Sequence, residues 1–122
     1  MSRAPIKNYE EILEVMNKYV EGIATGKSEV MKPSFHKDAI MYGYEPIGLV
    51  EGSIQYLYDY VDQAGPAQNL QARVDILDIE GTAACVRVVL ESSDGAVYSD
   101  FLQLLKINGE WKVIAKLFHR HT

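Results

Sequence analysis

Tyr9, Ile12, Leu13, Met16, Val20 and Ile23 recur at spacings of three and four, the pattern of one buried helical face. Asn8, followed three positions later by Glu11, resembles a capping box at the start of that helix, and Gly26 supplies its stop. Ser28 is placed to cap a second helix, which Pro33 limits to one or two turns. Residues 39–42 read as a short strand. The stretch 43–52 reads as a loop, because Gly43, Pro46 and Gly48 interrupt regular structure, and its glycines suit a mobile rim. A third helix begins near Ser53, with Ile54, Leu57, Tyr58 and Val61 on its core face, and Gly65-Pro66 ends it.

From Leu70 onward the apolar period changes to two. Three turn signals, Glu80-Gly81, Asp94-Gly95 and Asn108-Gly109, divide the stretch into four strands of an antiparallel meander. A two-residue hairpin at Asn108-Gly109 pairs Leu104 with Val113, Leu102 with Ala115, Asp100 with Leu117 and Tyr98 with His119. A three-residue loop at Ser93-Asp94-Gly95 sets Ala84, Val86, Val88 and Leu90 opposite Leu104, Leu102, Asp100 and Tyr98. The same loop at Ile79-Glu80-Gly81 adds Leu70, Ala72, Val74 and Ile76 to that face. One side of the sheet is then apolar except for Asp100, Tyr98 and His119, with His121 if pairing extends so far. The opposite side mixes charges with Val89, Phe101, Leu105, Ile114 and Phe118, and so much exposed apolar surface predicts a homodimer through the sheets.

Composition narrows the class. At 122 residues, 48% hydrophobic and 24% charged, residues 1–122 are read as a single globular domain. The formal charge of -5, with scattered Lys and Arg, argues against nucleic acid and anionic membrane as partners. No apolar run approaches the roughly 18 residues of a membrane span. The only cysteine, Cys85, precludes an internal disulfide, and the first eleven residues lack a signal core, so a cytoplasmic location is expected.

The segments Phe35-His36-Lys37-Asp38-Ala39, Gly81-Thr82-Ala83-Ala84 and Gly109-Glu110-Trp111-Lys112-Val113, in this order of elements, resemble the nuclear transport factor 2-like superfamily. Within it they look most like the group called "putative lumazine-binding" domains. The resemblance covers nearly the whole chain. It implies an α+β cone of the SnoaL-like, ketosteroid isomerase-like and cystatin-like kind. Here that means a strongly curved antiparallel sheet, a short first strand plus the four-stranded meander, closed by one long and two shorter helices around an apolar cavity. Superfamily members include isomerases, dehydratases and cyclases as well as non-catalytic binding modules, so the fold leaves function open.

Asp100 is the most informative single residue. A carboxylate on a core face must be paired, hydrogen-bonded or protonated. It can serve as a general base beside a carbonyl, as cavity-wall acids of the superfamily's isomerases do, or it can simply accept hydrogen bonds from tyrosine hydroxyls. His119, opposite Tyr98 and diagonal to Asp100, completes a candidate acid-base pair or fills space at a strand end. The eight tyrosines suit a pocket for a flat, partly polar ligand. Tyr19, Tyr42, Tyr56, Tyr60 and Tyr98, with Leu102 and Leu117, are its candidate lining, although boundary tyrosines with wet hydroxyls fit the pattern too. The orientation of His36 stays open. A zinc site would need His119, His121 and a third ligand such as His36 or Asp100, and no second ligand pair accompanies them, so no metal is expected. The expectation is a domain binding a small organic molecule in an enclosed, mostly apolar pocket. The alternative is a cofactor-independent isomerase, cyclase or dehydratase using Asp100 and His119.

Overall fold

The computed structural model describes residues 5–94 and 96–121. Helix α1 runs from Ile6 to Thr25, followed by α2 (Ser28–Met31) and a single 3₁₀ turn over Lys32–Ser34. Strands β1 (Phe35–Glu45) and β2 (Gly48–Ser53) form a hairpin, α3 spans Gln55–Ala64, and β3 (Gln71–Glu80), β4 (Ala83–Glu91), β5 (Val97–Ile107) and β6 (Glu110–His121) form the meander. The strands make one curled sheet in the order β2-β1-β6-β5-β4-β3, with the helices packed on its inner face. All neighbours are antiparallel except β1 and β6, which run parallel. The α+β class expected from the sequence is the class found.

Several local expectations are corrected. Helix α1 starts two residues before Asn8, with Pro5 at its N-cap. Asn8 is instead buried, and its Oδ1 accepts from Lys106 Nζ at 3.2 Å and Trp111 Nε1 at 3.4 Å, so it ties the helix to the last hairpin. The buried face of α1 is Asn8, Ile12, Met16, Tyr19 and Gly22, rotated so that Tyr9 and Leu13 are exposed and Tyr19 is central. Gly26 closes the helix at φ 70°, as its position predicts. The short strand expected at 39–42 is the longer β1, Phe35–Glu45, and the remainder of the anticipated loop 43–52 is the turn and β2. Pro46 falls between the strands, and Gly48 and Gly52, at φ 128° and 116°, bend an edge strand that tolerates them.

Register is where pattern and structure part most. The β4–β5 pairing of Ala84, Val86, Val88 and Leu90 with Leu104, Leu102, Asp100 and Tyr98 is the one expected, whereas Gly95, in its connecting loop, lies outside the described residues. Between β3 and β4 the turn is Gly81-Thr82, and a bulge at Leu77 keeps Ala72, Val74 and Ile76 on the inner face against Leu90, Val88 and Val86. Between β5 and β6, Leu104 pairs with Val113 as predicted, but Gln103 then pairs with Ala115, leaving Ile114 as an extra residue. Everything beyond that bulge turns over. Lys116, Phe118 and Arg120 face inward, and Leu117, His119 and His121 face outward.

Gly43 locks this arrangement. A Cβ there would meet Phe118 ring carbons at 2.5 Å and the Phe118 carbonyl oxygen at 2.6 Å, so only glycine lets β1 close on the inward phenyl ring. The core thus filled contains Ile12, Met16, Tyr19, Phe35, Val88, Leu102 and Val113, with the Tyr19–Phe35 and Phe35–Tyr58 rings edge to face at 5.7 and 6.0 Å.

Candidate functional site

Asp100 lies on the inner face of β5 between Tyr98 and Leu102 and is fully buried. Tyr19, presented by the middle of α1, donates its hydroxyl to Asp100 Oδ2 at 2.5 Å. Lys116, brought inward by the bulge, holds its Nζ 3.9 Å from the same oxygen, 5.3 Å from the centre of the Tyr19 ring and 5.5 Å from that of Phe118. Asp100 Oδ1 is buried with no hydrogen-bond partner among the described residues.

Burial sets the protonation preferences of this cluster. Loss of water pushes the Asp100 carboxyl above its ordinary value, opposed by the Lys116 charge and the Tyr19 hydrogen bond. It pushes the Lys116 ammonium below its ordinary value, opposed by Asp100 and Glu45. Tyr19 is raised well above 10, first by burial and then by the Asp100 charge, so its hydroxyl remains a donor across the working range. The carboxyl and the amine are both drawn toward their neutral forms.

A second polar cluster stands nearer the strand ends. Tyr98 donates to Glu45 at 3.0 and 3.2 Å, and Arg120 donates to Glu45 Oε1 at 3.1 Å with its guanidinium 5.7 Å from the Tyr98 ring centre. Burial, and next the proximity of Tyr60, push the Tyr98 hydroxyl above its ordinary range. Beside this cluster is a cavity of about 110 Å³, lined in part by Ile23, Tyr60, Val61, Pro66, Leu90 and Tyr98. It opens where the end of α3 meets the β4–β5 end of the sheet. Tyr98 belongs both to the cavity wall and to the Glu45–Arg120 cluster, and Asp100 follows it inward on the same face.

The predicted site residues therefore divide. Tyr19, Tyr98, Asp100 and Leu102 share the interior, and Tyr60 reaches the cavity though nearly half exposed. Tyr56 is more than a third exposed on α3. Tyr42 and Leu117 lie on the outer sheet face, where they line a separate groove of about 320 Å³ with Ile40, Leu77, Cys85 and Phe101. His119 is opposite Ser99, not Tyr98, and is exposed. Its neighbour His121 contacts Ser99 Oγ through Nε2 at 2.9 Å, and the two imidazoles stack edge to face at 4.7 Å. The bulge has removed His119 from Asp100 and put Lys116 in its place. His36, in the bulged part of β1, turns back on its own segment and accepts the Asp38 backbone N–H at Nδ1.

Lys116, Glu45 and Arg120 escaped the sequence reading. One signal pointed to them: Val113 and Phe118 are bulky apolar residues of opposite parity on one strand, which a bulge between them reconciles.

The curled sheet, its helical cover and an interior polar cluster define an α+β cone domain. Residues 7–119 match the family model described as "Putative lumazine-binding", and the chain belongs to that family. It is 32% identical to a protein from Cladobotryum sp named aldolase FrzH, over 93% of this chain and 91% of that one. Two solved structures, both of nuclear transport factor 2-like proteins of unknown function, are also similar. One from Methylobacillus flagellatus is 38% identical with a TM-score of 0.92, covering 98% of this chain and 97% of that one. One from Shewanella baltica is 35% identical with a TM-score of 0.91, covering 98% of each.

Proposed function

We propose that this chain is a small-molecule-binding domain whose ligand enters between α3 and the β4–β5 end of the sheet and reaches the Tyr19–Asp100–Lys116 cluster. The carrying observation is Asp100 Oδ1, buried and unpartnered among the described residues. Such a group costs about 1–3 kcal/mol, which a ligand donor would recover. The cavity of about 110 Å³ is smaller than the roughly 300 Å³ usual for a ligand site. Binding therefore requires Tyr98 and Tyr60 to swing aside. The family's description makes lumazine, a flat bicyclic heterocycle, the first compound to try. A saturable thermal shift or chemical-shift titration with lumazine or related heterocycles, weakened at least tenfold by Asp100→Asn in a folded variant, supports the reading. Binding unaffected by Asp100→Asn refutes this site.

A catalytic reading has its own support in the aldolase name of a relative matched over most of both chains. In it Asp100 moves a proton beside a carbonyl, and Lys116 takes the position expected of His119. Turnover lost in Asp100→Asn with the fold intact supports that reading, and an unchanged rate refutes it.

The domain is further proposed to work in the cytoplasm, without nucleic acid, as a homodimer. The exposed strip of Ile40, Tyr42, Leu77, Phe101 and Leu117 supports the dimer, since a second copy would cover it. Light scattering giving a monomer mass at micromolar concentration overturns it. No helix among the described residues is long and apolar enough to cross a membrane.

A further inference from the structure

Lys116 is the odd member of the interior. A lysine exposed by only 6% of its side chain belongs in a hydrogen-bonded ion pair, yet its closest carboxylate oxygen, at 3.9 Å, is beyond hydrogen-bond reach and is already occupied by the Tyr19 hydroxyl. The amine is instead flanked by the Tyr19 and Phe118 rings, within the influence of both Asp100 and Glu45, so it sits between the deep carboxylate and the mouth cluster. A free amine in a largely apolar site, with a carboxyl group a few ångströms away to move protons, is the arrangement that imine chemistry needs. An arrangement made only for stability would do better with two hydrocarbons.

We infer that Lys116 captures an aldehyde or ketone ligand as an imine, with Asp100 as the proton carrier. This deepens the ligand-binding reading above and rests on it, and it adds the chemical class of the ligand. The neutral Nζ attacks the carbonyl carbon, forming the C–N bond, while the carbonyl oxygen takes a proton from the Asp100 carboxyl. The Asp100 carboxylate then takes a proton from Nζ and hands it to the new hydroxyl, which leaves as water while the freed nitrogen lone pair forms the C=N bond, so that a protonated imine stands beside the Asp100 carboxylate. That carboxylate, held by Tyr19, is then placed to remove a proton from the adjacent carbon and give the enamine. No oxidant, metal or second reactant is required. Burial, which pushes the Lys116 ammonium below its ordinary pKa and the Asp100 carboxyl above its own, supports the starting protonation states.

The probe is pentane-2,4-dione, which converts an amine to a stable enaminone that absorbs in the near ultraviolet, releasing water. The full chain is labelled at neutral pH and digested, and the adduct is located by mass spectrometry. The expected result is labelling at Lys116 at least tenfold faster than at any of the other seven lysines, slowed selectively by Asp100→Asn and absent in Lys116→Met. Labelling spread over the exposed lysines with Lys116 unmodified overturns the inference, and because it is read on the wild-type chain it does not depend on a variant folding. Saturable lumazine binding without any Lys116 adduct sinks the imine and leaves the binding reading standing. Absence of both removes the two together.

Discussion

Replacing Gly43 by alanine tests the register on which the whole site depends. The added Cβ would lie 2.5 Å from Phe118 Cδ1 and Cε1 and 2.6 Å from the Phe118 carbonyl oxygen, against an optimum of roughly 3.5–4.0 Å between carbons. The ring can tilt, but the carbonyl belongs to the backbone of the paired residue on β6, so relief requires β1 and β6 to separate locally. Overpacking of this kind costs about 1–3 kcal/mol where side chains can yield, and the backbone clash places Gly43→Ala at the top of that range, about 3 kcal/mol. With an unfolding entropy of about 2.1 cal/mol/K per residue, a chain of this length loses about 12 °C in midpoint for 3 kcal/mol. Urea unfolding should show the loss as a lower midpoint at unchanged slope. Phe118→Leu in the same chain should return part of the loss by removing the ring contact and none of the carbonyl contact. Gly48→Ala is the control: its φ of 128° is strained for alanine, but nothing lies within 4 Å, so it should cost only the backbone strain, about 1–2 kcal/mol. A Gly43→Ala midpoint within 2 °C of wild type would refute the reasoning, because Phe118 would then not face inward and Lys116 and Arg120 would turn outward with it.

Three further outcomes are expected. Lys116→Met alone leaves the buried Asp100 carboxyl without its polar neighbour and should lose about 1–3 kcal/mol in urea unfolding, whereas Lys116→Met with Asp100→Leu should be near neutral or more stable; a double variant that loses the sum of the two single losses would show that the pair is uncoupled. Asn8→Ala removes the acceptor shared by Lys106 and Trp111 and should cost about 1–2 kcal/mol by leaving the indole N–H unpaired, with a shift in tryptophan emission; an unchanged midpoint refutes it. Asp62 accepts from the Ser28 N–H and hydroxyl, both at 2.8 Å, which hold its carboxyl below the ordinary 3.8. A depressed carboxylate stabilises the fold above its unfolded pKa and loses that contribution as pH falls through the folded one, so the midpoint difference between wild type and Asp62→Asn should be present at pH 7 and shrink below 3.8; a pH-independent difference refutes the linkage.

The parts of the fold legible in the sequence are those where one period runs uninterrupted. The inner face of β5, Tyr98, Asp100, Leu102 and Leu104, follows from alternation alone, and its match to β4 follows from the loop between them. The buried faces of α3 and much of α1 follow from helical spacing. Alternation fails at Ile114, because a bulge leaves no trace in composition and its effect appears only when the partner strand is counted against it. The hairpin of β1 and β2 is hidden for a different reason: at the sheet edge, glycines carry positive φ without disrupting a central ladder and Pro46 serves the tight turn, so glycines that usually mark a loop here belong to strands. Asn8 misled because a capping residue and a buried acceptor for a distant indole look alike in one dimension. The site shared these fates: Asp100 and Tyr98 were legible, Lys116 was not.

The extra residue at Ile114 also has a meaning for how such a domain diverges. Closing that bulge with every residue kept would restore strict alternation from Val113 and present Ala115, Leu117, His119 and His121 to the interior in place of Lys116, Phe118 and Arg120, whereas deleting Ile114 outright would leave Lys116 facing inward. Gly43 would then face a gap instead of a phenyl ring. In this sheet a one-residue slip of register exchanges an amine-bearing interior for an imidazole-bearing one, a step no single substitution within the site equals. Relatives should therefore be sorted by whether β6 carries this bulge before their interior residues are compared.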